Sequence, residues 1–274
     1  MNGPIFELFD FLRNPNSTAN EGISVILMLF AITASTLILL PFHESAHALS
    51  AKLLGDNTAE RMGRLTLNPL RHIDPIGFSC MFLIGFGWAK PVPVNPLNAD
   101  RRVTQRGFLA LTAAAGPVSN VLFSLICIII AKVLYIATIP KEIMESLADV
   151  SGIHGKFEWL VFGGMRSGDG TFTKFTEMLN SPFVAYLGFA LMLIATISLY
   201  LAAFNLLPIP PLDGSKILFF FLNNRQVNMF ERHINIIRGV LLLLLLATPF
   251  LRSFIGLIAD FLMKGLELAT FFIR

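Results

Sequence analysis

Residues 23–47 read ISVILMLFAITASTLILLPFHESAH, an uncharged apolar stretch that leads directly into two histidines and a glutamate. In an α-helix, side chains four positions apart lie on one face, so His43 and His47 can bind the same metal ion. Glu44 lies beside them and can accept a proton from water. Because ionisable groups at membrane depth are rare and usually functional, this position indicates a functional site.

The spacing His43-Glu44-x-x-His47 is the pattern in which a metalloprotease helix holds zinc, with the glutamate as general base. A simpler interpretation is open as well. His47 could be a histidine of the protein core, and Glu44 could pair with Arg64 or Lys52. The pattern therefore predicts a zinc site, but a catalytic zinc site takes three protein ligands, and the pattern supplies only two.

The composition is that of an integral membrane protein. Hydrophobic residues make up 54% of the chain and charged residues 14%, and the mean hydropathy is +0.68. Soluble domains contain about 25% charged residues. Cys80 and Cys127 lie in apolar stretches, which favours small buried side chains over a disulfide or a zinc pair. The net charge of +3 is modest, and nothing in the sequence indicates nucleic-acid binding.

Four segments are long enough to cross a membrane, which takes about 20 apolar residues. We expect an all-α polytopic membrane protein, folded as a single domain over residues 1–274, with short re-entrant or β-edge elements around the site. The segment near 76–96 is too short to span and is broken by glycines and prolines, so it is the expected re-entrant element. The expected spans are about 24–49, 107–138, 183–207 and 239–263, with a short interfacial helix at 5–12 and an external loop at 139–182.

Loop charges set the expected orientation through the positive-inside rule. Residues 50–106 contain eight basic and four acidic residues, and residues 223–238 contain three basic and one acidic residue. Residues 139–182 contain four basic and six acidic residues. The first two loops are therefore expected in the cytoplasm and the third outside. This places the active site toward the cytoplasmic side of the cell membrane.

Asp213 is the candidate third metal ligand. It ends the segment Asn205-Leu-Leu-Pro-Ile-Pro-Pro-Leu-Asp213-Gly214, at the cytoplasmic end of the third expected span. Its prolines cannot continue a helix and so free backbone groups at membrane depth. A simple turn is the alternative, since Pro-x-Asp-Gly favours turns and Asp213 could pair with Lys216. The two histidines in the same leaflet favour the ligand.

Together these motifs resemble the site-2 protease family of intramembrane zinc metalloproteases. Two loop segments, 68–77 (NPLRHIDPIG) and 87–96 (GWAKPVPVNP), and the segment 116–120 (GPVSN) agree with that family. The resemblance covers about residues 24–222, and it is to compact members without a PDZ or nucleotide-binding regulatory domain.

The resemblance implies a role for each motif residue. His43, His47 and Asp213 would bind one zinc ion per chain, and Glu44 would be the general base. Asn120 and Asn205 would hold substrate or the developing oxyanion, although Asn120 could equally form an interhelical hydrogen bond. The residues expected to contact substrate are Trp88, Val92, Val94, Gly116 and Asn120.

The expected function is hydrolysis of peptide bonds within or near transmembrane segments of membrane-tethered substrates. Regulated proteolysis and clearance of signal-peptide remnants are the two contexts considered. The expected partners are transmembrane protein substrates and the lipid bilayer. Two other classes stay open, a membrane metal-ion transporter and a catalytically silent helix-binding homologue. Residues 87–96 are expected to form an edge that pairs with unfolded substrate, and a Pro-rich surface linker is the alternative.

We predict that cysteines placed at Arg61 and at Gly168 react with a membrane-impermeant thiol reagent from opposite sides of the membrane. The charge difference between residues 50–106 and 139–182 is the physical reason. Labelling is measured in intact and in permeabilised cells, with Cys80 and Cys127 replaced by serine beforehand. Labelling of both positions from outside would contradict the expected orientation.

Overall fold

The computed structural model describes residues 19–84, 87–138 and 182–270. This described part is helical, and its β-structure is limited to one isolated antiparallel bridge between Ile73 and Ala89. The predicted all-α fold agrees with this. The expected interfacial helix at 5–12, and the expected external loop at 139–182 up to its last residue, lie outside the described residues.

Helices of very different lengths follow one another along the chain. The two longest are the first helix and the helix that begins at Gln105, and shorter helices lie between them and near the C-terminal end of the described residues. In chain order the helices are α1 (Ala19–Leu53), α2 (Thr58–Arg61), α3 (Pro75–Ile84), α4 (Gln105–Thr138), α5 (Pro182–Asn205), α6 (Asp213–Phe221), α7 (Asn224–Arg232), α8 (Ile234–Ala247) and α9 (Pro249–Ala269).

Within the described residues, α4 is the one helix long and apolar enough to cross a membrane by length and composition. The apolar parts of two other helices, Ala190–Asn205 and Ile234–Leu245, are shorter. The first three expected spans coincide with α1, α4 and α5. A four-span arrangement therefore stays a prediction.

The fourth expected span, 239–263, is corrected to two helices. Helix α8 ends at Ala247, Thr248 is extended (φ −128°, ψ 144°), and α9 begins at Pro249. Proline has no N–H to continue the helical ladder, and it disfavours helical backbone at the residue before it. Pro249 therefore favours the break between the two helices at Thr248.

The described chain packs as two compact units. One comprises the described residues of Met1–Asn120 and Leu201–Gly256, and the other those of Val121–Tyr200 and Leu257–Arg274. In the second unit, Lys132 Nζ donates to Thr270 Oγ1 at 2.7 Å. Every candidate site residue lies in the first unit. Whether the chain acts as the expected single domain stays a prediction.

The segment 87–98, called the strap below, is non-helical over residues 87–95 and ends in a 3₁₀ helix at Pro96–Asn98. It is tied down by buried polar groups. Asp56 is fully buried and accepts hydrogen bonds from the Asn95 N–H at 2.6 Å and from Asn98 Nδ2 at 2.9 Å. Burial alone would raise the pKa of Asp56, but these hydrogen bonds and those from Thr58 outweigh it and lower the pKa below its ordinary value. The carboxylate is therefore a stable anchor for the strap.

The other end of the strap is held by Arg64 and His72. The buried Arg64 guanidinium donates from Nη2 to the carbonyl oxygens of Lys90 at 2.9 Å and Pro91 at 3.0 Å. The Lys90 N–H donates to the His72 carbonyl at 2.8 Å. The expected β-edge is thus an extended segment with a single bridge, and the expected re-entrant segment 76–96 divides into helix α3 and this strap.

Gly77 lets helix α3 and the strap touch. A Cβ atom at this position would lie 2.2 Å from the Trp88 carbonyl oxygen and 2.9 Å from Trp88 Cγ. Such distances are far below van der Waals contact, so any side chain here would displace the strap.

Candidate metal centre and active-site cleft

Helix α1 presents His43 and His47 one turn apart on the same face, as the sequence predicts. Both side chains are buried, with 5% and 8% of the residue exposed. Their rings meet edge to face, with centroids 4.7 Å apart and planes at 86°. The two imidazoles therefore point to one place.

Asp213 is brought to that place by the Pro-rich turn. Helix α5 ends at Asn205 and α6 begins at Asp213, because the prolines between them interrupt the helical ladder. Asp213 Oδ2 lies 3.2 Å from His43 Nε2 and 3.1 Å from His47 Nε2. Its Oδ1 lies 3.4 Å from Lys216 Nζ. Asp213 thus follows a turn, pairs with Lys216 and contacts both histidines, so the two interpretations of its position are compatible.

These three side chains fit a zinc ion. Their donor atoms lie within 4.8 Å of one another, and all three residues are buried. Two imidazole nitrogens and one carboxylate oxygen leave a fourth position open, as in catalytic zinc sites. Within the described residues, no other His, Cys, Asp and Glu group of three or more meets this criterion.

Gly116 makes room for the two rings. A Cβ atom on Gly116 would lie 2.5 Å from His47 Cε1 and Nε2 and 2.6 Å from His43 Cε1. The imidazoles thus pack directly against the backbone of α4, and the space that a methyl group would fill belongs to the metal centre.

The same face of α4 contacts the outer nitrogen of each ring. His47 Nδ1 lies 2.7 Å from the Thr112 carbonyl oxygen, and His43 Nδ1 lies 3.2 Å from Asn120 Nδ2. Thr112, Gly116 and Asn120 follow at intervals of four and so share one helix face. Metal-binding histidines usually make such a contact through the nitrogen that does not bind the metal.

Glu44 lies at the edge of an open cleft beside the metal centre. It is 8% exposed, and Oε2 accepts a hydrogen bond from the Val92 N–H at 3.2 Å. The cleft has a volume of about 550 Å³ and is lined by Glu44, the metal donors, part of the strap, the end of α5 and two cations. Those cations are Lys216 and Arg238. The candidate general base Glu44, the metal donors and part of the strap therefore share one cavity.

The predicted site residues divide into two groups. Trp88, Val92, Val94 and Asn205 line the cleft, and Asn205 Nδ2 donates to the Leu201 carbonyl of its own helix at 3.0 Å. Gly116 and Asn120 lie behind the imidazoles instead, and neither is among the residues that line the cleft. The face of α4 that carries them is packed against α1, and the expected substrate contacts of these two residues stay predictions.

Three contributors were not predicted. The Thr112 contact is made by a backbone carbonyl, so residue type gives no signal, although helical spacing from Gly116 points to it. Asp56 and Arg64 anchor the strap from the loop after α1. Acidic and basic residues in a loop are usually exposed, and the burial of these two depends on tertiary packing.

Comparison with known proteins agrees with this site. The family model described as "Peptidase family M50" matches residues 30–248. The chain is 35% identical over 178 residues to a protein named "Putative zinc metalloprotease YwhC" from Bacillus subtilis (strain 168). That match covers 64% of this chain and spans 62% of the relative's length. No solved structure matches the chain.

We predict that Gly116→Ala abolishes zinc binding, because the added methyl group would occupy the place of the two imidazole rings. Zinc per purified chain, measured by mass spectrometry of the metal, should fall from about one to near zero. Gly239→Ala is the matched control, since nothing lies within 4 Å of its Cβ position, and it should keep its zinc. Full zinc content in Gly116→Ala would contradict the described packing.

Proposed function

Because this chain belongs to peptidase family M50, we propose that it is a zinc endopeptidase that cuts membrane-tethered substrates within or near their transmembrane segments. Zinc is its cofactor. The observation that carries the proposal is the convergence of His43 Nε2, His47 Nε2 and Asp213 Oδ2, with Glu44 in the same cleft. A binding protein would have no need of a base beside the metal centre.

Glu44 is the proposed general base. Zinc held by His43, His47 and Asp213 would supply a Lewis acid for the attacking water and the scissile carbonyl. A Glu44 carboxylate oxygen takes the proton of the attacking water and passes it to the leaving amine. The carboxylate is buried but keeps one hydrogen bond, from the Val92 N–H. That contact orients it toward the cleft.

The depth of the centre supports cleavage inside the membrane. Gly116, which packs on both imidazoles, lies roughly 17 Å along α4 from its first residue, at about 1.5 Å per residue. Helix α4 is the candidate membrane span, and a hydrocarbon core is about 30 Å thick. With the first residue of α4 at the membrane surface, a centre at that distance along the helix would lie below the headgroups.

The strap is the proposed substrate-binding segment. It is extended, held by Arg64 and Asp56, and it places Trp88, Val92 and Val94 on the cleft. Pro91 and Pro93 have no N–H, so hydrogen bonding is left to alternate residues. The Val92 N–H already points to Glu44. An unwound substrate lying along this segment would place its backbone beside the metal centre, with its direction fixed by the single usable edge.

The proposed substrates are single-span membrane proteins, such as tethered regulators trimmed by another protease, or signal-peptide remnants. Asn205 lines the cleft and is the proposed neutral donor to substrate or oxyanion. The cytoplasmic orientation of the site follows from the loop charges. Water would reach the cleft from that side.

We predict that Glu44→Gln retains zinc and substrate but loses cleavage by at least about a hundredfold, because general-base catalysis contributes 10²–10⁴-fold. Purified protein is incubated with model transmembrane substrates, and the products are mapped by mass spectrometry. Glu60→Gln is the matched control, since Glu60 is exposed and paired with Lys52 at 2.5 Å, and it should cleave normally. Near wild-type turnover by Glu44→Gln would rule out this mechanism. A wild type that cleaves no substrate would leave a metal transporter as the better hypothesis.

A second prediction concerns the strap. Val92→Pro removes the N–H that faces the cleft and should reduce cleavage strongly while zinc content stays unchanged. Val92→Ala keeps the N–H and should cleave at a rate close to wild type. Both variants are assayed for zinc and for product with the same substrate. Efficient cleavage by Val92→Pro would leave only the linker interpretation of residues 87–96.

A further inference from the structure

In the proposed function His43 and His47 bind the same zinc ion, but their Nδ1 atoms contact different partners. Both Nε2 atoms face Asp213 Oδ2, at 3.2 and 3.1 Å, so zinc would bind through Nε2 in each ring. A neutral imidazole carries one proton, and a ring that binds zinc through Nε2 must carry that proton on Nδ1. Each Nδ1–H then needs an acceptor in a buried site.

For His47 the acceptor is a backbone carbonyl oxygen, whose role in the hydrogen bond is unambiguous. Its Nδ1 lies 2.7 Å from the Thr112 carbonyl oxygen, and a carbonyl oxygen can only accept. This contact by itself fixes the proton on Nδ1 and leaves Nε2 free for the metal. It also holds the plane of the ring.

His43 meets a side-chain amide in the equivalent place. Its Nδ1 lies 3.2 Å from Asn120 Nδ2, and Asn120 is fully buried. An amide has a donor end and an acceptor end of nearly the same shape, and their assignment follows from the hydrogen-bond network. The NH₂ end toward Nδ1 would require the His43 proton on Nε2, where it would face Asp213 and oppose metal binding.

We infer that Asn120 is a positioning residue of the zinc site, whose Oδ1 accepts the Nδ1–H of His43 and so fixes the Nε2-binding tautomer. The inference rests on the proposed function, because zinc binding by His43 is what orients the amide. It gives the two histidines equivalent support from one face of α4, a backbone carbonyl for one and an amide oxygen for the other.

The position favours an amide over a carboxylate. Two carboxylates, Asp213 and Glu44, already lie in this buried centre. A third would add a negative charge whose burial lowers the stability of the fold. An amide oxygen accepts the same hydrogen bond without that charge. Asn120 thereby acts through His43 and touches neither the cleft nor a substrate within it.

The test compares the zinc affinities of Asn120→Leu and Asn120→Asp, measured by competition with a chelator on the full-length purified protein. Leucine keeps the approximate shape but has no acceptor, and it should weaken zinc binding about 10- to 100-fold, the usual cost of losing such a partner. Aspartate keeps the acceptor and should bind zinc within a few-fold of wild type. Gly239→Ala is the control, because nothing lies within 4 Å of its Cβ position, and its zinc affinity should not change.

A spectroscopic measurement gives an independent readout. In zinc-loaded protein with ¹⁵N-labelled histidine, Asn120→Asp should move the Nδ1–H signal of one ligand histidine downfield, since a carboxylate accepts more strongly. The signal of the other ligand histidine, held by Thr112, should stay in place. Unchanged signals in Asn120→Asp would overturn the inference even if Asn120→Leu failed to fold.

Three outcomes decide the matter. Unaltered zinc affinity in Asn120→Leu would overturn the inference and leave the proposed function intact. Equal losses in Asn120→Leu and Asn120→Asp would indicate an interhelical hydrogen bond and would also overturn it. Wild-type protein that binds no zinc would overturn the proposed function and this inference together.

Discussion

The contact between one face of helix α4 and the two histidines of α1 is the constraint on which the metal centre depends. Thr112, Gly116 and Asn120 recur every four residues, and His43 and His47 do the same on α1. His47 contacts Thr112 and His43 contacts Asn120, so the two helices are antiparallel at this contact. The missing side chain at Gly116 lets the rings approach the backbone. Without that approach neither ring could meet its partner on α4.

Burial of charge explains how the remaining residues are arranged around this contact. A buried carboxylate is tolerated only when hydrogen bonds or positive groups compensate its lost hydration. Asp213 has histidine nitrogens at one oxygen and Lys216 at the other. Glu44 has the Val92 N–H, and Asp56 has the amides of the strap. Each acid therefore holds a different segment in place, so the contacts that compensate the buried charges also assemble the tertiary structure.

Local patterns predicted those parts of the molecule that depend on local physics. Helical spacing brought His43 and His47 together, and the prolines before Asp213 predicted the turn that presents it. The break at Thr248 follows from the same proline rule, yet the run of leucines before it favoured one long helix. The Thr112 carbonyl and the burial of Arg64 depend on how distant segments pack, and no residue pattern carries that information. The sequence predicts Asn120 as a site residue, but an asparagine side chain alone does not show whether it contacts substrate or another helix.

The contact at Gly77 has a consequence for the shape of the cleft. The backbone of helix α3 lies directly against the carbonyl of Trp88, so the distance from α3 to the strap is set by a position that lacks a side chain. A side chain at residue 77 would displace the strap, which lines the cleft. The width of the cleft therefore depends on a residue that contributes no group to the metal centre.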